Sequence, residues 1–102
     1  MATVSTLRYL NAVLEESLRV YPPTPRAHTR IVPRGGATIC GTVVPEGTSV
    51  GVAGLAASLS ESNWTEPLAF KPERWLGEQK AGDDFKASQP FNVGPRNCLG
   101  KK

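Results

Sequence analysis

The chain has 102 residues, a net charge of +3 and 39% apolar residues. That length holds at most one small domain. The positive charge is mild and scattered, without the clustered basic footprint of a nucleic-acid binder, so no nucleic-acid partner is expected.

Residues 5–21 read as one amphipathic helix. Leu7, Leu10, Leu14, Leu18 and Tyr21 recur at three- and four-residue spacing, with Val13 and Ser17 beside them. Thr3 or Ser5 is placed to cap its start, and Pro22-Pro23 ends it. Short strands are expected across 29–55: one around Thr29 to Val32, then ATIC, GTVV and TSVGVAG, with Pro45-Glu46-Gly47 as a turn. ASLSESNW holds room for one helical turn, with Ser58 or Ser60 as cap. Residues 64–90 carry apolar side chains without period, and Gly77, Gly82 and Asp83-Asp84 interrupt them. So long an irregular stretch usually wraps another body. The chain closes on FNVGPRNCLG, residues 91–100, a Gly-Pro turn bearing Cys98.

A zinc site or an iron–sulfur cluster built from this chain alone is excluded. The only cysteines are Cys40 and Cys98, there is no C-x-x-C, and His28 is the one histidine, so neither a zinc site nor an iron–sulfur cluster can form. A disulfide has no support, because the chain is not a Cys-dense secreted domain. The N-terminus has no charged head followed by an apolar stretch, and the longest weakly polar run, Thr48 to Leu59, is too short to span a bilayer. No membrane segment is expected in this chain.

Three constellations carry chemistry. Glu15 and Glu16 lie four and three residues before Arg19, so both carboxylates reach it on the helix surface. The ordinary reading is an exposed pair worth ~0.2–0.5 kcal/mol. The other reading notes that Leu14 and Leu18 put Arg19 at the border of the apolar face, where a guanidinium needs a satisfied partner. Arg74, in Pro72-Glu73-Arg74-Trp75, adds a second fork-shaped donor. It is either a surface arginine on a turn or the third member of a Glu–Arg–Arg network that pins the irregular segment to the helix.

Cys98 is either a buried structural cysteine, the commoner fate, or a thiolate ligand of the kind that holds haem iron. The second use needs backbone N–H groups aimed at the sulfur. Gly94 and Gly100 allow a tight turn and a flat macrocycle close by. Phe91 is placed to pack near the ring and Arg96 to pair with a carboxylate. A phosphate loop fails on spacing, with five residues between Gly94 and Gly100, and Lys101 is followed by Lys102 instead of Ser or Thr. Nothing local supports a Cys98–His28 nucleophile pair.

Together and in this order, the motifs resemble the C-terminal part of a cytochrome P-450, a haem-thiolate monooxygenase. FNVGPRNCLG matches the signature F-x-x-G-x-R-x-C-x-G at every fixed position. EESLRVYPP matches E-x-x-R, which selects Glu16 over Glu15 as the partner of Arg19. FKPERW matches the P-E-R-F/W segment. The wording of YLNAVLEESLRVYPP and GGATICGTVVPEGT is most similar to filamentous-fungal members.

The resemblance implies an α+β fragment of the mainly-α cytochrome P-450 fold, with an E-x-x-R helix, a small sheet, a meander and a cysteine loop. It implies haem b (iron protoporphyrin IX) with Cys98 as the axial thiolate ligand to iron. Arg96 and Arg30 would contact haem propionates and Phe91 would pack by the ligand loop. Glu16, Arg19 and Arg74 would form a structural, non-catalytic network. Residues Pro25 to His28 and Val50 to Leu55 would approach the substrate side, Cys40 would be packed and structural, and Leu59 stands where the family more often has His or Tyr. The implied parent inserts one oxygen atom of O2 into a small apolar organic substrate, takes electrons from an NADPH-cytochrome reductase and sits at the endoplasmic reticulum membrane. An acidic electron donor would dock near Arg96, Lys101 and Lys102. The helix that places an acid and an alcohol beside oxygen, the helices over the other haem face and the membrane anchor are not among these residues. The chain alone is therefore expected to be inactive. The competing expectation is a non-catalytic remnant, or a mis-predicted gene fragment, with no stable haem binding.

Overall fold

The computed structural model describes residues 6–77 and 82–101. Helix α1 spans Arg8–Val20, inside the expected 5–21. Leu7 occupies the N-cap without a side-chain cap bond; Thr3 and Ser5 lie outside the described residues. The helix closes where Tyr21 N–H donates to Ser17 O at 2.8 Å, one residue before Pro22. Its burial reverses the expected face. Leu7, Leu10, Leu14 and Tyr21 are exposed, whereas Ala12, Glu16 and Arg19 are buried. The reason is what the described residues supply as a partner. Only the 3₁₀ turn Pro72–Leu76 and the short helix α2 (Gly54–Ser58) pack on α1, and both meet the Ala12–Glu16–Arg19 side.

The expected strands form, but not one sheet. β1 (Arg30–Ile31) pairs antiparallel with β4 (Ser49–Val50), with Arg30 opposite Val50. β2 (Ala37–Ile39) and β3 (Thr42–Val44) make a separate antiparallel hairpin, with Ile39 opposite Thr42. Its two-residue turn is Cys40-Gly41, with φ of 49° and 79°. Both values are positive, as a primed hairpin turn needs. Cys40 is therefore an exposed turn residue, not a packed one. The TSVGVAG strand shortens to β4, because Gly54 already begins α2. The helical turn expected within ASLSESNW follows α2 and is closed by Trp64 N–H, which donates to Ser60 O at 3.0 Å. Ser58 ends α2 and is buried, while the Ser60 hydroxyl accepts from Ser62 N–H at 3.2 Å and caps the next turn.

Residues 64–90 hold 3₁₀ turns at Pro72–Leu76 and Phe85–Ala87, and a third follows at Gly94–Arg96. The radius of gyration is 16.3 Å, against ~13 Å for a compact domain of this length. Ala12, Val32 and Trp64 are the buried apolar residues among those described. Most of what is buried around them is charged or polar.

Candidate functional site: a neutral charge cluster behind an exposed cysteine turn

Glu16 and Arg19 are both fully buried, which removes the surface-pair reading. Arg19 Nε and Nη2 donate to the two Glu16 oxygens, each at 2.8 Å. The helical spacing of three sets this fork-to-fork pairing. Arg19 Nη1 then donates to the carbonyls of Ser58 and Pro67 at 2.8 Å, and Nη2 to Ala69 O at 3.1 Å. One guanidinium thus ties α1 to α2 and to the irregular segment. Glu16 also accepts from Lys71 N–H at 2.9 Å, from Arg74 Nε at 3.1 Å and from Trp75 Nε1 at 2.9 Å. Burial alone would raise the Glu16 carboxyl. The hydrogen bonds from Arg19, Lys71 and Trp75 outweigh it and lower the pKa to about 2.

Glu16, Arg19 and Arg74 alone would leave one uncompensated positive charge in a buried place, which is costly. Asp83 supplies the missing carboxylate. Arg74 Nη1 donates to Asp83 Oδ2 at 2.6 Å, and Thr65 N–H to Asp83 Oδ1 at 2.7 Å. Burial pushes the Asp83 carboxyl up, but the Thr65 and Arg74 hydrogen bonds prevail and hold it below its ordinary value. Sequence reasoning treated Asp83 only as a breaker. The signal that points to it is charge arithmetic, since two guanidiniums facing one carboxylate call for a second. Trp64, 1% exposed, lies beside both guanidiniums, with ring-to-Cζ distances of 5.0 Å to Arg19 and 5.6 Å to Arg74. Trp64, Trp75 and Phe85 pack on one another with centroids 4.8–6.0 Å apart. The Trp64 indole N–H has no acceptor among the described residues.

The chain leaves this cluster through Asp84, whose side chain caps the Phe85–Ala87 turn, and reaches the cysteine loop. Cys98 N–H donates to Phe91 O at 2.8 Å, closing the loop at its neck. Gly94 has φ +78°, in the left-handed region that a β-carbon disfavours, so the turn into Gly94–Arg96 calls for glycine there. The Cys98 thiol is exposed, and Gly100 N–H donates to Sγ at 3.3 Å. A β-carbon on Gly100 would meet only that sulfur, at 3.6 Å. Phe91 is half-buried, with the Lys101 ammonium 5.9 Å above its ring. Arg96 is exposed. Arg30 lies apart from the loop, on the wall of an open cleft of about 510 Å³ that Asn92 and Val93 also border. Its Nη1 donates to Thr29 O at 2.8 Å. The described residues include no group of three or more His, Cys, Asp or Glu able to hold a metal ion.

A family model described as Cytochrome P450 matches residues 1–102, the whole chain. The chain belongs to the cytochrome P450 family. Its curated relatives include fungal cytochrome P450 monooxygenases. Cytochrome P450 monooxygenase aclL of Aspergillus oryzae is 53% identical over 102 residues, covering 99% of this chain and 21% of that protein. Cytochrome P450 monooxygenase ORF11 of Penicillium roqueforti is 55% identical over 97 residues, covering 95% of this chain and 20% of that protein. Averantin hydroxylase of Aspergillus parasiticus is 52% identical over 101 residues, covering 98% and 20%. The chain thus spans about a fifth of the length of the P450 relatives it matches. No helix among the described residues is long and apolar enough to cross a membrane.

Proposed function

We propose that this chain is the haem-thiolate portion of a P450 monooxygenase, with Cys98 as the ligand to the iron of haem b. The observation that carries this reading is the exposed thiol of Cys98 in a turn closed by two backbone N–H groups, one of them aimed at the sulfur. These residues fit the group: a soft, accessible sulfur, a donor that steadies its negative charge, and glycine where bulk would crowd a flat ring. Haem, when bound, supplies the activation of O2, one atom of which enters the substrate while the other leaves as water.

The chain's own residues bind and position. Gly100 N–H holds charge on Sγ. Arg96 and Arg30 would take the carboxylates of the macrocycle, and Phe91 supports the loop from within. Glu16, Arg19, Arg74 and Asp83 do no chemistry and hold residues 64–90 in place. Because the chain spans about a fifth of its relatives, we propose that it has no turnover by itself, and that proton delivery and most of the substrate pocket belong to a longer protein. That protein would take electrons from an NADPH-cytochrome reductase at the endoplasmic reticulum membrane. Arg96 and Lys101 are exposed beside the cysteine turn and would face an acidic electron donor, with Lys102 outside the described residues. Donor binding that does not weaken as salt rises contradicts this docking face.

Differential alkylation tests the ligand assignment. Cys40 and Cys98 are both exposed, so each serves as a control for the other. Saturating haem is expected to block modification of Cys98 and leave Cys40 reactive. Equal reactivity of both, with and without haem, sinks the assignment and favours a remnant that binds no haem.

A further inference from the structure

The segment after α1 presents alternate side chains to the cleft. Thr24, Arg26, His28 and Arg30 line it, while Ala27 and Thr29 lie within 3.3–3.4 Å of where a β-carbon on Gly51, the residue after β4, would stand. Apolar residues also line it, among them Leu18, Val50, Leu55 and Val93. The charged residues lining the cleft are Arg26, Arg30 and Lys86, and no Asp or Glu lines it. Arg30 is partly engaged by Thr29 O. The side chains of Arg26 and Lys86 have no hydrogen-bond or ion-pair partner among the described residues. A largely apolar space lined by cations with no acidic residue attracts an apolar molecule that carries an anion.

We propose that this cleft takes a carboxylate-bearing apolar organic molecule, with Arg26 as the residue that selects the acid. The proposal rests on the monooxygenase reading and narrows its substrate class, from an apolar molecule to an apolar acid. A guanidinium pairs with a carboxylate through two parallel bonds, and the half-enclosed apolar setting strengthens them. Arg26 and Arg30 line the same cleft; Arg30 is already partly engaged by Thr29 O, which leaves Arg26 the freer of the two guanidiniums. Haem is itself an apolar ring with carboxylates, so the same chemistry has two sources, and the test separates them.

The probe is 2-naphthoate, compared with its neutral methyl ester, titrated into the 102-residue chain and followed by backbone amide NMR shifts. Naphthoate is expected to bind saturably, to shift the amides of residues 24–30, and to bind at least about tenfold more tightly than the ester. Arg26→Gln is expected to erase that preference while leaving ester binding and the amide pattern of α1 unchanged, and Arg26→Lys to restore part of it. Equal affinity for acid and ester in the unmodified chain overturns the proposal, a comparison that needs no variant. So does a preference that survives Arg26→Gln. Displacement of naphthoate by one equivalent of haem also overturns it, since the acid site would then be the macrocycle's. Selectivity for naphthoate without any haem binding leaves the cleft proposal standing and sinks the ligand role of Cys98. Haem binding with no acid preference does the reverse.

Discussion

Arg74 donates to Asp83 at 2.6 Å, and that one bond makes the buried cluster electrically neutral. Glu16 and Asp83 balance Arg19 and Arg74, and all four side chains are at most 5% exposed. Asp83 is the last residue of the cluster, just before the chain turns toward the cysteine loop. Neutrality and position are therefore coupled: losing this carboxylate charges the cluster and frees the segment that leads to Cys98.

Asp83→Asn is expected to destabilise the chain by about 2 kcal/mol, the scale of a hydrogen bond to a charged group. Asp84→Asn is expected to be nearly silent, because Asp84 only caps a short exposed turn and Asn caps equally well. Urea unfolding followed by the fluorescence of Trp64 and Trp75 compares the two. Equal costs would deny Asp83 its charge-balancing role.

Glu16→Gln leaves two buried guanidiniums facing one carboxylate. Breaking a buried ion pair on one side typically costs about 3–5 kcal/mol, enough to abolish cooperative unfolding in a chain with so small an apolar core. Glu15→Gln, on the exposed side of α1, should change stability by less than about 0.5 kcal/mol. A loss under about 1 kcal/mol for Glu16→Gln contradicts the central place given to that carboxylate.

The same carboxylate fixes an acid limit. Its folded pKa of about 2 lies below the ordinary 4.5, so the unfolded chain takes up a proton first as pH falls. Its stabilisation is complete above pH 4.5 and is lost between 4.5 and about 2. The amount is about 3 kcal/mol by linkage, and Asp83, also lowered, acts in the same direction. Stability measured at stepwise lower pH should fall across this window, and Glu15→Gln, on the exposed side of α1, should leave the fall unchanged. A flat profile in the unmodified chain contradicts the assignment.

Cys40 sits at φ 49° in a two-residue turn before Gly41. Asn tolerates that conformation better than Cys does. Cys40→Asn should stabilise the chain by about 0.5 kcal/mol and leave haem binding untouched, readable by the same urea titration. Destabilisation would mean the thiol packs against something.

Much of this was legible in the residues. Proline and glycine punctuation placed α1 and the hairpin to within a few residues, because turn chemistry is local. The E-x-x-R spacing and the P-E-R-W segment gave three of the four charges. Periodicity misled on which face of α1 is buried. Leu10 and Leu14 form the more apolar stripe, yet the described partners lie on the other side and carry the groups that satisfy Glu16 and Arg19. An apolar pattern shows that a face seeks burial; it does not show that the partner lies within these residues. Asp83 was hidden because it pairs with Arg74 across a loop, with no fixed spacing to announce it. Cys40 was misjudged because burial statistics for cysteine say nothing of a turn that needs positive φ.

A haem titration of the purified chain tests the central claim most directly, recorded in the ferric state and in the reduced state under carbon monoxide, with Cys98→Ser alongside. The expected result is saturable binding with the red-shifted band of a thiolate-ligated iron, lost in Cys98→Ser. No saturable binding, or the same band in Cys98→Ser, would contradict the claim that this cysteine turn is a haem-ligand site.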